Sequence, residues 1–361
     1  MENNLMIATN GTCMGTTWNV SICESSFQDE AKLFEIVQTV LDNVDATMST
    51  YKSDSEVSRF NRSLSTDWFP VSPLLFEVVQ KSLEISQKTN GAFDITVGPL
   101  VNLWKFGPDK TQISQLPTEE EIESTRKFVG YRNLQTDSTT SAIKKTIPEL
   151  YIDLSAIAKG YAVDLVAREL EKNNINNYLV EVGGETRCNG EKMLKIESNE
   201  TEKNQTTDDS IEKRPWVLGI EKPYIKKDFD ETPIFLYRKV IMKDGLSLAT
   251  SGDYRNYRLV DSTRFSHLID PRTGKPTIMI NENANVPMKR LGSVSVILPN
   301  CLEADAYATA FFVLGENEGI ELANRLYIPV LFIIRNEQTD PPQFEEVASD
   351  SFLNKIESTK F

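Results

Sequence analysis

Apolar residues recur at helical spacing in several stretches, and these stretches predict the helices of the protein. In residues 29–45 the apolar positions fall on one face of a helix. Ser72 followed by Pro73 is a typical helix start, because serine caps the first turn and proline fits its first position. Thr118 and Glu121 have the spacing of a capping box, so we predict another helix start there.

Other stretches alternate or concentrate apolar residues over short lengths, which is typical of strands. We predict strands at residues 16–22, 177–182, 216–220, 235–242, 290–298 and 330–334. Residues 153–171 are interpreted as the end of a strand that runs into a helix, and Asn300 and Glu303 as the cap of a helix that ends at Leu314. A turn between strands is predicted at residues 243–245. Helices and strands are therefore mixed, which indicates an α+β (mixed α/β) fold without fixing the strand order.

The length of 361 residues suits one domain, or two closely joined ones, so we predict one domain over residues 1–361. Residues 197–214 are acidic and polar with almost no apolar residue, and are interpreted as a surface insertion. Residues 337–361 are polar and are predicted to form a loosely packed tail.

Composition and charge exclude several classes of protein. The net charge of −14 argues against a nucleic-acid-binding protein, and it means that an anionic ligand needs a local cation. The chain has one histidine and four cysteines without a CxxC pair, which excludes multi-histidine zinc sites and removes the usual signature of a zinc ribbon or an iron–sulfur cluster. No apolar run is long enough for a transmembrane helix, and the first ten residues lack the pattern of a signal peptide, so a soluble protein is expected.

The single histidine, His267, is followed by Asp270, Pro271 and Gly274 in what is predicted to be a loop entering a turn. Histidine suits general-base chemistry near neutral pH, and the nearby carboxylate could orient its ring. A structural histidine, with Asp270 starting the turn, explains the same residues.

Asp305 and Thr309 are four residues apart on a predicted helix, so their oxygen atoms lie on one face. Carboxylate and hydroxyl oxygens are the hard ligands that Mg²⁺ prefers. Alternatively, the helix packs through its alanines, and Thr309 bonds back to its own backbone.

Two further stretches could bind a nucleotide. Asp153 precedes a helix start with Lys159, where free N–H groups and a positive charge would favour phosphate, although an ordinary N-cap is the commoner explanation. Phe93, Trp104 and Phe106 could stack on a planar ring or fill the core. The glycine-rich turns have neither Rossmann nor P-loop spacing.

Taken together and in chain order, these stretches resemble the ApbE family of FAD:protein FMN transferases. The resemblance is carried by MGTT at residues 14–17, MSTY at 48–51, SEVSRFN at 55–61, GAFDIT at 91–96, DLSAIAKG at 153–160, GGE at 183–185, SGDY at 251–254, HLIDPRTG at 267–274 and ADAYAT at 304–309. It implies the family's mixed α/β fold with a central cleft for FAD and Mg²⁺.

The resemblance also implies an activity: Mg²⁺-dependent transfer of the FMN moiety of FAD to a Thr or Ser hydroxyl of an acceptor flavoprotein through a phosphoester bond, with release of AMP. It implies that His267 is the catalytic base and that the Ala156 carbonyl, Asp305 and Thr309 bind the metal. The residues that it places around FAD are Met14, Tyr51, Ala92, Phe93, Asp94, Asp153, Lys159, Ser251 and Gly252.

Two other functions use the same residues. A Mg²⁺-dependent FAD pyrophosphatase would make FMN and AMP with water as the acceptor, and a non-catalytic flavin-binding protein would keep its FAD. The expected partners are FAD and an acceptor flavoprotein, with a membrane redox subunit as one candidate. The resemblance further implies a periplasmic or inner-membrane location if the N-terminus has been trimmed.

Overall fold

A computed structural model describes residues 6–23, 27–109, 111, 113–195, 211–225, 235–243, 245–283, 289–339 and 341–361. These residues contain the helices α1 Glu30–Met48, α2 Glu56–Arg62, α3 Pro73–Lys88, α4 Gly98–Leu103, α5 Glu119–Arg126, α6 Ala158–Lys172, α7 Cys301–Leu326 and α8 Asp350–Lys355. They contain the strands β1 Ile7–Cys13, β2 Thr16–Ile22, β3 Phe69–Pro70, β4 Leu134–Asp137, β5 Ala142–Lys145, β6 Tyr178–Val182, β7 Glu185–Asn189, β8 Glu191–Lys195, β9 Ile211–Glu221, β10 Leu236–Met242, β11 Ser247–Gly252, β12 Tyr257–Val260, β13 Thr263–Ser266, β14 Ile269–Asp270, β15 Lys275–Pro276, β16 Met279–Asn281, β17 Lys289–Leu298, β18 Val330–Asn336, β19 Gln343–Ala348 and β20 Ser358–Lys360.

The largest sheet in the described part of the chain has eight strands in the order β1-β2-β6-β7-β11-β17-β18-β19, and each neighbouring pair is antiparallel. Its inner strands are covered on both faces. Along β18, Val330 and Phe332 enter one hydrophobic core, whereas Leu331 and Ile333 enter another. Because side chains alternate across a strand, a separate layer packs on each face of the sheet. Helices combined with antiparallel sheets confirm the α+β prediction.

The larger core lies between this sheet and a layer of helices that includes α1, α3, α6 and α7. The apolar stripe predicted for residues 29–45 is the buried face of α1. Asp29 and Ser72 cap α1 and α3 with their side chains, and Thr118 and Glu121 form the predicted capping box of α5. These helix starts were predictable because each signal and its partner lie within one turn of chain.

The opposite face of the large sheet packs against the sheet β20-β10-β9-β8. A third, smaller core joins α4 to the sheet β12-β13-β16 through Trp104 and Phe265, whose ring centroids are 5.3 Å apart. Trp104 also donates from Nε1 to the Gly274 carbonyl at 2.8 Å, so it is a core residue rather than a stacking surface. This small core supports the segment that carries His267.

Several predicted strands are confirmed: the predictions at residues 16–22, 177–182, 216–220, 235–242, 290–298 and 330–334 correspond to β2, β6, β9, β10, β17 and β18. The predicted strand end at Asp153 is wrong, because residues 151–154 belong to no strand. The Asn61 side chain instead takes both backbone hydrogen bonds of Ile152, accepting at 2.8 Å and donating at 2.9 Å. The Asn61 side chain thus makes the two backbone hydrogen bonds that a neighbouring strand would otherwise make.

The predicted cap of α7 is also wrong. Asn300 occupies the N-cap position, but its side chain makes no capping bond. The buried carboxylate of Asp164 on α6 accepts from the Cys301 N–H at 3.0 Å and the Leu302 N–H at 2.9 Å. The predicted helix end at residue 314 is confirmed: Gly315, with φ +76° and ψ 175°, is not helical and separates the first segment of α7 from a second segment that continues to Leu326.

The tail from residue 337, predicted to be loosely packed, contains β19, α8 and β20, and Phe352 in α8 is 1% exposed. Residues 211–214 of the predicted insertion belong to β9, whereas its residues 197–210 lie outside the described residues. The turn predicted at residues 243–245 includes Asp244, which also lies outside them. Among the helices that the structure describes, none combines the length and the apolar character needed to cross a bilayer.

Candidate active site

A cavity of about 450 Å³ opens where loops from several distant parts of the chain meet. Its wall is built from the segment after α3, the start of α6, the turn between β6 and β7, the end of β11, the segment around His267 and the first turns of α7. This volume lies within the range of about 300–1,000 Å³ that is usual for small-molecule sites. The cavity therefore brings together sequence motifs separated by more than 200 residues.

Twelve of the thirteen residues singled out in the sequence line this cavity: Tyr51, Ala92, Phe93, Asp94, Asp153, Ala156, Lys159, Ser251, Gly252, His267, Asp305 and Thr309. The thirteenth, Met14, is not among the lining residues. It lies in the turn between β1 and β2 with a positive φ of 53°, and its half-buried side chain packs against the larger core.

The first turns of α6 and α7 are in direct contact, and this contact fixes one end of the cavity. A Cβ atom added to Gly160 would lie 2.3 Å from the Cys301 carbonyl oxygen and 2.8 Å from Asp305 Cβ. The Gly160 N–H donates to Asp305 Oδ2 at 3.0 Å. The absence of a side chain at Gly160 thus allows the two helices to approach closely enough to orient the Asp305 carboxylate.

A buried charge cluster surrounds this contact. Lys159 Nζ lies 3.3 Å from Glu185 Oε1 and 3.5 Å from Asp305 Oδ2. Burial lowers the pKa of Lys159, but the two carboxylates outweigh it and hold the pKa above its ordinary value. Burial raises the pKa of Glu185 to about 8, against the opposing effect of Lys159 and together with the effect of Asp305. Two carboxylates therefore share one ammonium group.

Oxygen atoms suited to a hard cation lie along the same wall. Thr309 Oγ1 is 3.1 Å from Ser251 Oγ, and both residues line the cavity together with Ala156 and Asp305. Within the described residues there is no cluster of three or more His, Cys, Asp or Glu side chains that could hold a metal. A cation here would therefore need hydroxyl, main-chain and ligand oxygens in addition to Asp305.

The imidazole of His267 is held by the main chain. Its Nδ1 lies 2.9 Å from the carbonyl oxygen of Asn256, which also accepts the His267 backbone N–H at 3.3 Å. A carbonyl can only accept, so Nδ1 carries the hydrogen and Nε2 keeps a free lone pair. Burial lowers the pKa of His267 below its ordinary value, which favours the neutral ring.

The expectation that a nearby carboxylate orients His267 is wrong. Asp270 is turned toward Arg272, accepting from its backbone N–H at 2.9 Å and from its Nη2 at 2.9 Å. It therefore starts the turn, as the structural interpretation of that residue predicts. The Phe106 ring lies edge-on to the imidazole, with the centroids 6.2 Å apart.

Two acidic residues of the cavity wall are largely engaged by nearby N–H and O–H groups. Asp94 accepts from the Thr96 N–H and from the Tyr131 N–H at 2.8 and 2.7 Å, and burial raises its pKa. Asp153 accepts from the Ser155 N–H at 2.8 Å. Both carboxylates thus fix the backbone around the cavity, whatever else they contact.

The comparisons with known proteins agree with this arrangement. The family model described as the ApbE family matches residues 14–332. This chain belongs to the ApbE family. Among its curated relatives, the FAD:protein FMN transferase of Vibrio cholerae is 39% identical over 95% of this chain and 90% of the relative, and that of Escherichia coli is 39% identical over 90% and 83%.

Solved structures of the ApbE family have the same fold. The flavin transferase ApbE from Vibrio cholerae superposes with a TM-score of 0.76 at 37% identity, covering 96% of this chain and 98% of that one. The apo flavinyl transferase ApbE from Pseudomonas stutzeri gives a TM-score of 0.76 at 32% identity, with 96% and 95% covered.

Several polar residues of this ApbE-family cavity were not assigned a role from the sequence, and three of them bear on its chemistry. Glu185 closes the GGE motif at residues 183–185, which carries part of the family resemblance but was given no role. Arg255 lies at the rim, where its Nη2 is 2.7 Å from Glu221 Oε2. Asn256 acts through its carbonyl, which any residue could supply, so no sequence signal marks it.

Proposed function

We propose that this protein transfers the FMN moiety of FAD to a Thr or Ser hydroxyl of an acceptor flavoprotein and releases AMP. The curated relatives bear the name of this activity and match nearly the whole chain. The observation that carries the proposal is the single cavity that holds both an imidazole with a free ring nitrogen, His267, and the oxygen groups of Asp305 and Thr309. A flavin-storage protein would need no such base.

The proposed reaction forms one bond and breaks one. The acceptor hydroxyl oxygen attacks the phosphorus of the FMN half of FAD, and the bridging P–O bond of the diphosphate breaks, so that AMP leaves. The hydroxyl proton passes to Nε2 of His267, whose Nδ1–H is held by the Asn256 carbonyl. General-base assistance of this kind is typically worth about 10²–10⁴-fold in rate.

Mg²⁺ is the metal that the donor atoms of this cavity fit. Asp305, Thr309 and Ala156 all line the cavity, and their carboxylate, hydroxyl and carbonyl groups are hard oxygen donors. Magnesium typically binds through one or two carboxylates together with substrate phosphates, which agrees with Asp305 as the one carboxylate among the proposed ligands. When bound, the ion would neutralise charge on the diphosphate and on the departing AMP.

The remaining predicted residues are proposed to hold FAD. Tyr51, which is 58% exposed, offers its ring surface to the dinucleotide, whereas Phe93, which is 2% exposed, lines the cavity as part of the larger core. Lys159 supplies the positive charge that an anionic dinucleotide needs in a protein of net charge −14. The other proposed FAD contacts are Met14, Ala92, Asp94, Asp153, Ser251 and Gly252.

The acceptor is proposed to be a separate flavoprotein that presents its Thr or Ser at the cavity mouth. Purified protein is incubated with FAD, Mg²⁺ and a candidate acceptor domain, and the mixture is separated on a denaturing gel. Flavin fluorescence that stays with the acceptor band is the expected result. Free FMN without labelled acceptor would identify a pyrophosphatase instead, and intact FAD after prolonged incubation would identify a flavin-binding protein.

A further inference from the structure

Lys159 lies close to the proposed metal ligand. Its ammonium is 3.5 Å from Asp305 Oδ2 and 3.3 Å from Glu185 Oε1. A divalent cation bound to Asp305 would bring two positive charges within a few ångströms of this ammonium, which is strongly repulsive at a buried site. Lys159 and the metal therefore compete for the same carboxylate.

Glu185 can receive the displaced ammonium. It is 4% exposed, and its second oxygen, Oε2, is buried and has no hydrogen-bond partner. A buried carboxylate oxygen without a donor is costly, whereas a lysine ammonium carries three donors. A Cβ atom at Gly183 would lie 3.0 Å from Lys159 Cδ, so the stem of the lysine runs past the turn that leads directly into Glu185.

We propose that Glu185 is a positioning residue that takes the Lys159 ammonium when a divalent cation binds Asp305. Lys159 then acts as the counter-ion of Asp305 before metal binding, and as the partner of Glu185 and a cation for the diphosphate afterwards. This inference rests on the proposed function, because the metal-binding role of Asp305 is part of that function.

The proposal predicts opposite effects for two neutralising substitutions. Lys159→Met removes the competing charge, so the protein should bind a divalent cation more tightly. Glu185→Gln removes the carboxylate that receives the ammonium, so Lys159 stays with Asp305 and the cation should bind more weakly. A charge within about 4–6 Å typically changes the affinity for a proton by one to three pKa units, so we expect at least about a tenfold change in each direction. A general loss of structure would weaken binding in both variants.

The experiment uses Mn²⁺ alone, which takes the same oxygen ligands and reports its free concentration by EPR. Wild type, Lys159→Met, Glu185→Gln and Asp305→Ala are titrated without FAD. Lys81→Met and Glu303→Gln are matched controls, because this pair, 3.3 Å apart, joins α3 to α7 outside the cavity lining. The controls should bind Mn²⁺ as wild type does. An unchanged or weaker affinity for Lys159→Met, or a tighter one for Glu185→Gln, would overturn the proposal.

Thermal unfolding of each variant identifies misfolded protein, and Lys159→Gln and Glu185→Ala replace any variant that does not fold. If wild type and Asp305→Ala bind Mn²⁺ equally, Asp305 is no metal ligand and the inference fails. The gel assay separates this outcome from a failure of the proposed function. Labelled acceptor together with no opposite shifts in Mn²⁺ affinity would overturn only the inference.

Discussion

Gly160→Ala tests whether the close contact of α6 and α7 builds the proposed metal site. The added methyl group would lie 2.3 Å from the Cys301 carbonyl oxygen, whereas the Cβ atoms of real proteins essentially never come closer than 3.0 Å to a non-bonded heavy atom. Because the clash is with backbone, no side-chain rotation relieves it. The helices must therefore separate by at least 0.7 Å, the difference between those two distances. Asp305 moves with α7 and loses its 3.0 Å hydrogen bond from the Gly160 N–H.

The change in stability that Gly160→Ala causes follows from two opposing effects on the free energy of unfolding. Alanine is better than glycine inside a helix by about 0.5–1 kcal/mol, whereas overpacking a core costs about 1–3 kcal/mol. We expect a net loss of about 1–2 kcal/mol. With an unfolding entropy of about 2.1 cal/mol/K per residue, this lowers Tm by only about 1–3 °C in a chain of this length. A misplacement approaching 1 Å can nevertheless reduce a catalytic rate by about 10²-fold.

The assay therefore measures both Tm and the rate of FMN transfer to the acceptor. Gly315→Ala is the control: Gly315 has φ +76° and ψ 175°, a conformation essentially restricted to glycine, and it lies on the same helix but not in the cavity wall. Its strain of about 1–3 kcal/mol should lower Tm at least as much while leaving transfer intact. If Gly160→Ala kept both the wild-type transfer rate and the wild-type Mn²⁺ affinity, the tight helix contact would have no role in the site.

Three other predictions concern the proposed chemical groups. Asp305→Ala should abolish Mg²⁺-dependent transfer while circular dichroism shows a retained fold; undiminished turnover would remove Asp305 from the metal site. His267→Ala should slow transfer by about 10²–10⁴-fold. It should change the FAD dissociation constant, measured by flavin fluorescence, far less than the rate. A large change in the dissociation constant with little change in the rate would make His267 a binding residue. Because burial lowers the pKa of His267, its neutral form persists to lower pH, so the transfer rate should fall only below the ordinary histidine value of about 6.5. A midpoint above 6.5 in the pH–rate profile would contradict this assignment.

The sequence predicted those parts of the fold whose signals and partners are neighbours in the chain. Ser72 caps α3 through Leu75, three residues away. The cap of α7 was mispredicted because its acceptor, Asp164, lies 137 residues before Cys301 and is positioned only by the packing of α6. The same limit applies to Ile152, whose backbone partners belong to Asn61 rather than to a strand. Local pattern therefore predicted five of the eight described helices and six of the twenty described strands. It missed most of the short elements and the side chains whose hydrogen bonds replace regular structure.

In the candidate site, too, local sequence predicts some features and only the folded structure reveals the others. The residue types that carry the chemistry could be selected from motifs, and twelve of the thirteen selected residues do line one cavity. Glu185 was overlooked because a glutamate after a glycine pair has many possible uses. What distinguishes it is its burial beside Lys159, which only the folded structure brings about.

The charge balance of the cavity supports the proposal that a cation binds at one particular end. Among the described residues that line it, the carboxylates of Asp94, Asp153 and Glu221 already accept from backbone N–H groups or from Arg255. The two that remain, Glu185 and Asp305, share the single ammonium of Lys159, and burial raises the pKa of Glu185 to about 8, so this end of the cavity is where a further positive charge would be accepted by a carboxylate. A dinucleotide diphosphate entering here would add more negative charge to a poorly solvated space, which is unfavourable unless a divalent cation enters with it. FAD and the metal should therefore each strengthen the binding of the other, and this coupling would be measured as a lower FAD dissociation constant in the presence of Mg²⁺.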